Sequence, residues 1–258
     1  ALSGCYTNPV TGRKSLVLLS PGEEASLGAQ SFQAIREKEP ISQDQAAIAR
    51  VNRVGQRIAR AVGNELPDAK WEFVVFESKD ANAFALPGGK VGVYTGLLKL
   101  AESDAELAIV IGHEIGHVTA RHGAERMSEA MVIAGVGALG SAALETKSAS
   151  PQTRQIFELA YGGITTLGRV LPHSRRNESE SDRMGAIYAA RAGYDPRAAI
   201  TFWQKMLAEK QRAAQGNAAA GPLAALLSTH PADEQRIADL KALMPQVLPI
   251  YEQNRDRY

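Results

Sequence analysis

Cysteine is nearly absent from this chain, Cys5 being the only one. No internal disulfide can form and no thiolate cluster can hold a metal, so a metal site must be built from histidine and carboxylate. An excess of charge of either sign is also missing, with 29 Lys and Arg against 28 Asp and Glu and a formal charge of +1. That balance leaves no electrostatic footprint for nucleic acid or an acidic membrane surface, and no nucleic-acid partner is expected. Residues 130–144 are uncharged but fall short of the roughly 18 to 20 residues a spanning helix needs. Gly135, Gly137 and Gly140 within them suggest close packing or mobility instead. What the chain does have is length: 258 residues can bury a substantial core, as one large domain or two small ones.

The first residues, ALSGC, resemble a bacterial lipobox, the small-residue end of a secretory signal followed by a cysteine that is lipidated. On that reading residues 1–5 are signal remnant and lipobox, and Cys5 tethers an otherwise soluble protein to a membrane. Tyr6 supplies no inner-membrane retention signal of the Asp type, so the expected place is the periplasmic face of the bacterial envelope, at the outer membrane.

Helix and strand signals then alternate. Ser20, Pro21 and Glu23 form a capping box with a first-turn proline and open a helix that runs towards Pro40. Ser42 and Gln45 start a second, with Val51, Val54 and Ile58 on one face, and it stops near Gly63. KWEFVVFES and GKVGVYTG alternate with period two and read as strands. Between them, the segment before the LPGG turn has room for a short edge strand at Asn82 to Phe84. Ser103 and Glu106 cap a helix beginning near Asp104. Further helices are expected at 152–171, after Pro172 as far as Gly193, after Pro196 with Phe202, Trp203 and Met206, and after STHPADEQR. Residues 211–222 read as a flexible loop and 246–258 as an irregular tail, leaving 20–245 as a single domain. The fold class is α+β, mainly helical.

The chemistry is concentrated in IVIGHEIGHVTARHG, 109–123, on the helix that Ser103 caps. At about 100° per residue, His113 and His117 share one face a turn apart, so two imidazoles can meet one ion. Glu114 sits beside that face, where its carboxylate can reach a water on the metal without occupying the metal itself. This is the His-Glu-x-x-His arrangement of zinc hydrolases. The alternative, a hydrogen-bonded core pair by coincidence, would bury two histidines and a glutamate among aliphatics without a partner to repay the cost. His122 lies nine residues from His113, so on a continuous helix it projects to the opposite side and is expected to be a surface or second-face residue.

Two imidazoles leave a zinc ion incomplete. Ala120 and Gly123 stand where a metzincin has glycine and histidine, so that class is excluded. The next carboxylate cluster, RRNESESDRMG, offers Glu178 and Asp182 four apart on one helical face; Glu180 points away and cannot serve the same site. One carboxylate could bind metal and the other orient a ligand histidine. Taken alone, the same run reads equally as a solvated charged face.

HEIGH, ESESD some sixty residues on, NAFALPGGKVGVYTGLL before and STHPADEQRI after together resemble the gluzincin metallopeptidases that include the CAAX prenyl protease, the heat-shock protease HtpX and the mitochondrial Oma protease. The resemblance covers about 20–240 and points to the compact, lipid-tethered periplasmic branch, without spanning helices or helical repeats. It implies a zincin-type domain whose small sheet lays an edge strand beside the active-site helix. It implies one zinc per chain on His113, His117 and Glu178, with Asp182 behind them, and His230 and Arg236 stabilising the transition state. The expected activity is hydrolysis of internal peptide bonds in unfolded or extended envelope polypeptides, with Glu114 as general base. Substrate backbone would pair with the edge strand at Asn82, Ala83 and Phe84. Two other readings follow from the same residues: a chaperone or assembly factor for outer-membrane proteins with restrained proteolysis, and a structural zinc domain, which would show four protein ligands.

Overall fold

A computed structural model describes residues 4–133, 174–214 and 223–257 of the chain. The helix expected at 152–171, the glycines at 135, 137 and 140, and residues 215–222 of the expected loop lie outside these. Residues 211–214 of that loop instead close a helix.

Strands β1 (Cys5–Thr7) and β2 (Lys14–Leu16) form an antiparallel hairpin. Helix α1 (Pro21–Lys38) begins in the expected capping box at Ser20. Helix α2 (Gln45–Val62) is capped by Asp44 rather than Ser42, the Asp44 carboxylate accepting from the Ala46 and Ala47 N–H groups. Val51, Val54 and Ile58 on α2 are fully buried. Strands β3 (Glu72–Phe76), β4 (Ala83–Leu86) and β5 (Lys90–Tyr94) make a sheet in the order β3-β5-β4. β5 runs parallel to β3 and antiparallel to β4, which leaves β4 on the edge. The tight β4–β5 connection needs φ of +82° at both Gly88 and Gly89, which glycine adopts without steric cost.

After the short α3 (Thr95–Leu100) comes α4 (Asp104–Thr119), capped by Ser103, whose hydroxyl accepts from the Glu106 N–H. Every residue of α4 from Glu106 to Thr119 is buried, so it is a central helix rather than an amphipathic one. Helix α5 (His122–Ile133) follows directly, and α6 (Arg175–Arg191), α7 (Ala198–Ala214), α8 (Ala224–Thr229) and α9 (Glu234–Asn254) complete the described elements. The tail expected to be irregular beyond Pro245 is helical to Asn254, with Pro245 and Pro249 inside α9.

Two contacts place the site. The edge strand β4 packs against α4, as expected. Helices α4 and α6 cross at glycines: a methyl group added to Gly185 would lie 2.8 Å from the His113 nitrogen, and one on Gly112 would lie 3.0 Å from the Gly185 oxygen. Only glycine allows the two backbones this separation. Around this crossing lies the main core, with Leu107, Ile111, Ile115, Met184, Tyr188 and Phe202. No described helix is long and apolar enough to cross a membrane.

Candidate metal centre

Three pieces of backbone converge on one buried point. Helix α4 supplies His113 and His117, the first turn of α6 supplies Glu178, and the turn between α8 and α9 supplies His230. One ligand atom from each lies within 4.8 Å of all the others. The Nε2 atoms of His113 and His117 are 3.1 Å apart, and His230 Nδ1 is 3.2 Å from His113 Nε2. Glu178 Oε1 is 3.3 Å from His117 Nε2 and 3.0 Å from His230 Nδ1, and its Oε2 is 3.5 Å from His113 Nε2.

Those separations test the fit to a metal. A tetrahedral ion with bonds of about 2.0 to 2.1 Å has ligand atoms about 3.3 to 3.4 Å apart. The five separations above, 3.0 to 3.5 Å, bracket that value, with Glu178 turning one oxygen to His113 and the other to His117 and His230. The donor set of imidazole nitrogen and carboxylate oxygen is the one zinc takes. The electrostatics agree. Burial opposes charge on His113, but the Asp182 and Glu178 carboxylates overcome it and raise its pKa to about 9, so the pocket favours a cation there. For His117 burial wins and the ring is held neutral, the form that ligates metal.

Glu114 is buried beside this cluster, its Oε1 3.4 Å from His230 Nε2 and without a hydrogen-bond partner among the described residues. Burial raises its pKa above the ordinary carboxylate range. An orphaned carboxylate oxygen aimed along the cluster is what a proton acceptor at a water site requires.

Behind the ligands stands a second ring of contacts. Asp182 Oδ1 lies 2.9 Å from His113 Nδ1, a close ionic contact with a poor angle for a hydrogen bond. Arg236 donates through Nε and Nη2 to Asp182 at 2.8 and 2.7 Å, and its Nη1 is 2.8 Å from Glu178 Oε2. Its guanidinium lies 3.6 Å over the Trp203 ring, and Trp203 in turn meets His113 edge-on. In this arrangement the Arg236 donors point at the Asp182 and Glu178 carboxylates. His230 lies in the same cluster, its Nδ1 beside His113 Nε2 and Glu178.

Sequence reasoning missed His122 and Glu180. Helix α4 does not continue past Ala120, because Arg121 takes φ of 58° and α5 starts afresh at His122. Arg121 is fixed in that left-handed conformation by Glu24 and the Leu19 carbonyl, the latter 2.6 Å from Nη2. The break turns His122 back, fully buried, to place its Nδ1 2.9 Å from His117 Nδ1. Its Nε2 is 3.0 Å from Glu180 Oε2. Arg121 gives no sequence signal for such a break, since the left-handed region favours glycine.

Asn82, Ala83 and Phe84 stand on or next to β4 as expected, but all three side chains are buried. Phe84 packs in an aromatic group with Phe32, Phe76 and Tyr94.

Comparison with known proteins bears on the whole arrangement. The model of peptidase family M48 matches residues 45–244. The mitochondrial metalloendopeptidase OMA1 of Schizosaccharomyces pombe is 34% identical over 196 residues, covering 76% of this chain and 52% of that protein. The beta-barrel assembly-enhancing protease of Escherichia coli is 30% identical over 256 residues, covering 98% of this chain and 50% of that protein. The chain thus spans about half the length of these relatives.

Proposed function

Because this chain belongs to peptidase family M48, we propose that it is a zinc-dependent endopeptidase cutting internal bonds of unfolded or misassembled polypeptides in the bacterial envelope. The observation that carries this is the convergence of ligand atoms from His113, His117, Glu178 and His230 within 4.8 Å of one another, with the unpartnered Glu114 oxygen beside them. Zinc held there would supply Lewis acidity towards water and towards the scissile carbonyl. Glu114 takes a proton from the attacking water and gives it to the leaving amine nitrogen, a task suited to a carboxylate whose pKa burial has raised. Asp182 holds His113 in register from Nδ1, and Arg236 holds Asp182 and Glu178. Substrate in extended form would add to the open edge of β4 through main-chain hydrogen bonds, which reads backbone rather than side chains.

The envelope setting rests on the lipobox-like ALSGC, with Cys5 exposed in β1 as the tether, and on an E. coli relative whose name ties it to β-barrel assembly. One observation favours a second reading, that of a structural zinc domain or of a protein whose proteolysis is restrained in an inhibited resting state. His230 would fill the fourth corner that a catalytic site keeps for water. Cleavage then requires His230 to step off, whereupon it could meet the developing oxyanion.

Glu114→Gln tests the reading. It should leave zinc content unchanged and lower cleavage of a chemically unfolded protein by about 10²- to 10⁴-fold. Undiminished cleavage with zinc retained would overturn it, and an envelope phenotype rescued by the variant would transfer the role to holding.

A further inference from the structure

The β1–β2 hairpin lies on the far side of His117 from the cluster, and its contacts end on the metal ligand. His117 Nε2 faces His113 and Glu178, so its Nδ1 faces away, towards His122 Nδ1 at 2.9 Å. A neutral imidazole that offers one nitrogen as a lone pair carries its proton on the other. With His117 Nε2 given to a metal, Nδ1 must donate, and His122 must accept at Nδ1. His122 then carries its own proton on Nε2, where Glu180 Oε2 accepts it at 3.0 Å. Ser181 Oγ, 3.4 Å from His122 Nδ1, is a weak contact. The direction of both bonds is thus fixed by the carboxylate at the end.

That carboxylate is held almost entirely by the hairpin. Asn8 Nδ2 donates to Glu180 Oε1 at 2.8 Å, Thr11 Oγ1 donates to the same oxygen, and Arg13 Nε donates to Oε2. Arg13 also spans to α5, its two Nη groups bonded to the two oxygens of Glu125 at 2.8 and 2.9 Å. Asn8 is itself locked, its Oδ1 accepting from the Val10 N–H at 2.9 Å, and Tyr6 donates its hydroxyl proton to the Thr119 carbonyl at the end of α4 at 2.5 Å. Three side chains of one loop between short strands therefore converge on a single buried acid, two bonds away from a ligand nitrogen.

We propose that the N-terminal hairpin is a working part of the metal centre, in which Asn8, Thr11 and Arg13 are positioning residues that fix His117 through Glu180 and His122. Displacing the hairpin loosens the ligand, so whatever holds or pulls on the segment around Cys5 acts on the affinity of the site. The inference rests on the reading of the cluster as a metal centre. Partners behind a ligand histidine are commonly worth about 10- to 100-fold in metal affinity.

The test is zinc affinity, measured on the full chain by competition with a chromophoric chelator, alongside melting temperatures with and without zinc. His122→Phe, Glu180→Gln and Arg13→Met should each weaken zinc binding about 10- to 100-fold. His122→Gln, whose side-chain carbonyl can accept the His117 proton, should recover most of the loss. These variants should also narrow the gap between the zinc-loaded and zinc-free melting temperatures, which a purely structural role would leave intact by lowering both alike. Thr11→Val removes one donor and keeps the ion pairs; a severalfold loss is expected from it, and it decides the hairpin's part if Arg13→Met does not fold. Wild-type zinc binding with the Thr11 and Arg13 variants within twofold of it would overturn the proposal. No zinc binding by the wild type would instead overturn the metal reading beneath it.

Discussion

Glu114 and Arg236 are both buried beside the same cluster, but Glu114 Oε1 accepts no hydrogen bond from the described residues, whereas Arg236 bonds to several groups. Removing the arginine leaves Asp182 and Glu178 facing each other without their shared cation. Breaking such a buried pair from one side costs about 3 to 5 kcal/mol. Arg236→Met should therefore lower the stability of the zinc-free chain by about that much in denaturant unfolding. A loss below 1 kcal/mol would contradict the role given to it. At this scale the sequence was legible wherever regular helical spacing decides: His113, Glu114 and His117 needed only the 100° step. Glu178 and Asp182 were narrowed to one face by the same rule, and resemblance chose between their roles. Glu180 was set aside from the ligands by its angle, and that angle aims it at His122. His122 itself could not be placed, because its direction depends on one left-handed arginine held by contacts from α1 and the segment before it.

Between elements, the decisive quantity is the distance between α4 and α6, since two ligands ride on one and the third on the other. Gly185→Ala puts a methyl group against the backbone at Gly112 and His113. Overpacking of this kind costs about 1 to 3 kcal/mol, and the shift also draws Glu178 away from the histidines. The expected result is lower stability together with weaker zinc retention; loss of stability alone would mean that the ligands do not depend on the crossing. The start of α4 has a separate support. Asp104 is held by Arg53 and Arg50, and although burial opposes its charge, these hydrogen bonds lower its pKa. A lowered carboxylate stabilises the fold at pH values above its unfolded pKa and ceases to as the pH falls through its folded one. Asp104→Asn should thus cost up to about 1 kcal/mol at neutral pH. That deficit should shrink to nothing as wild type and variant are titrated below about pH 4; a constant deficit would assign the effect to packing. Most helix starts were legible from their caps. The course of α9 was not, since proline normally ends a helix. Here Pro245 and Pro249 lie four apart on the exposed face, where the carbonyls left unpaired meet water, while Leu243, Met244 and Val247 anchor the other face in the core.

Across the molecule, a mostly helical fold, a small sheet with β4 at its edge and a single buried reactive centre were all foreseeable, because each follows from periodicity, capping or one dense motif. The approach of His230 to the ligands came from the resemblance alone, since a histidine before a proline says nothing by itself about what lies 117 residues earlier in the chain. The seating of the hairpin on Glu180 was not foreseeable, since it depends on contacts across 167 to 172 residues of sequence. The central claim is that one metal ion joins α4, α6 and the turn before α9. Anomalous diffraction from crystals of the full chain, recorded on either side of the zinc absorption edge, tests it most directly. A single strong peak within bonding distance of His113 Nε2, His117 Nε2 and Glu178 is the predicted result. Crystals of zinc-supplemented protein with no such peak, or with one elsewhere in the chain, would contradict it.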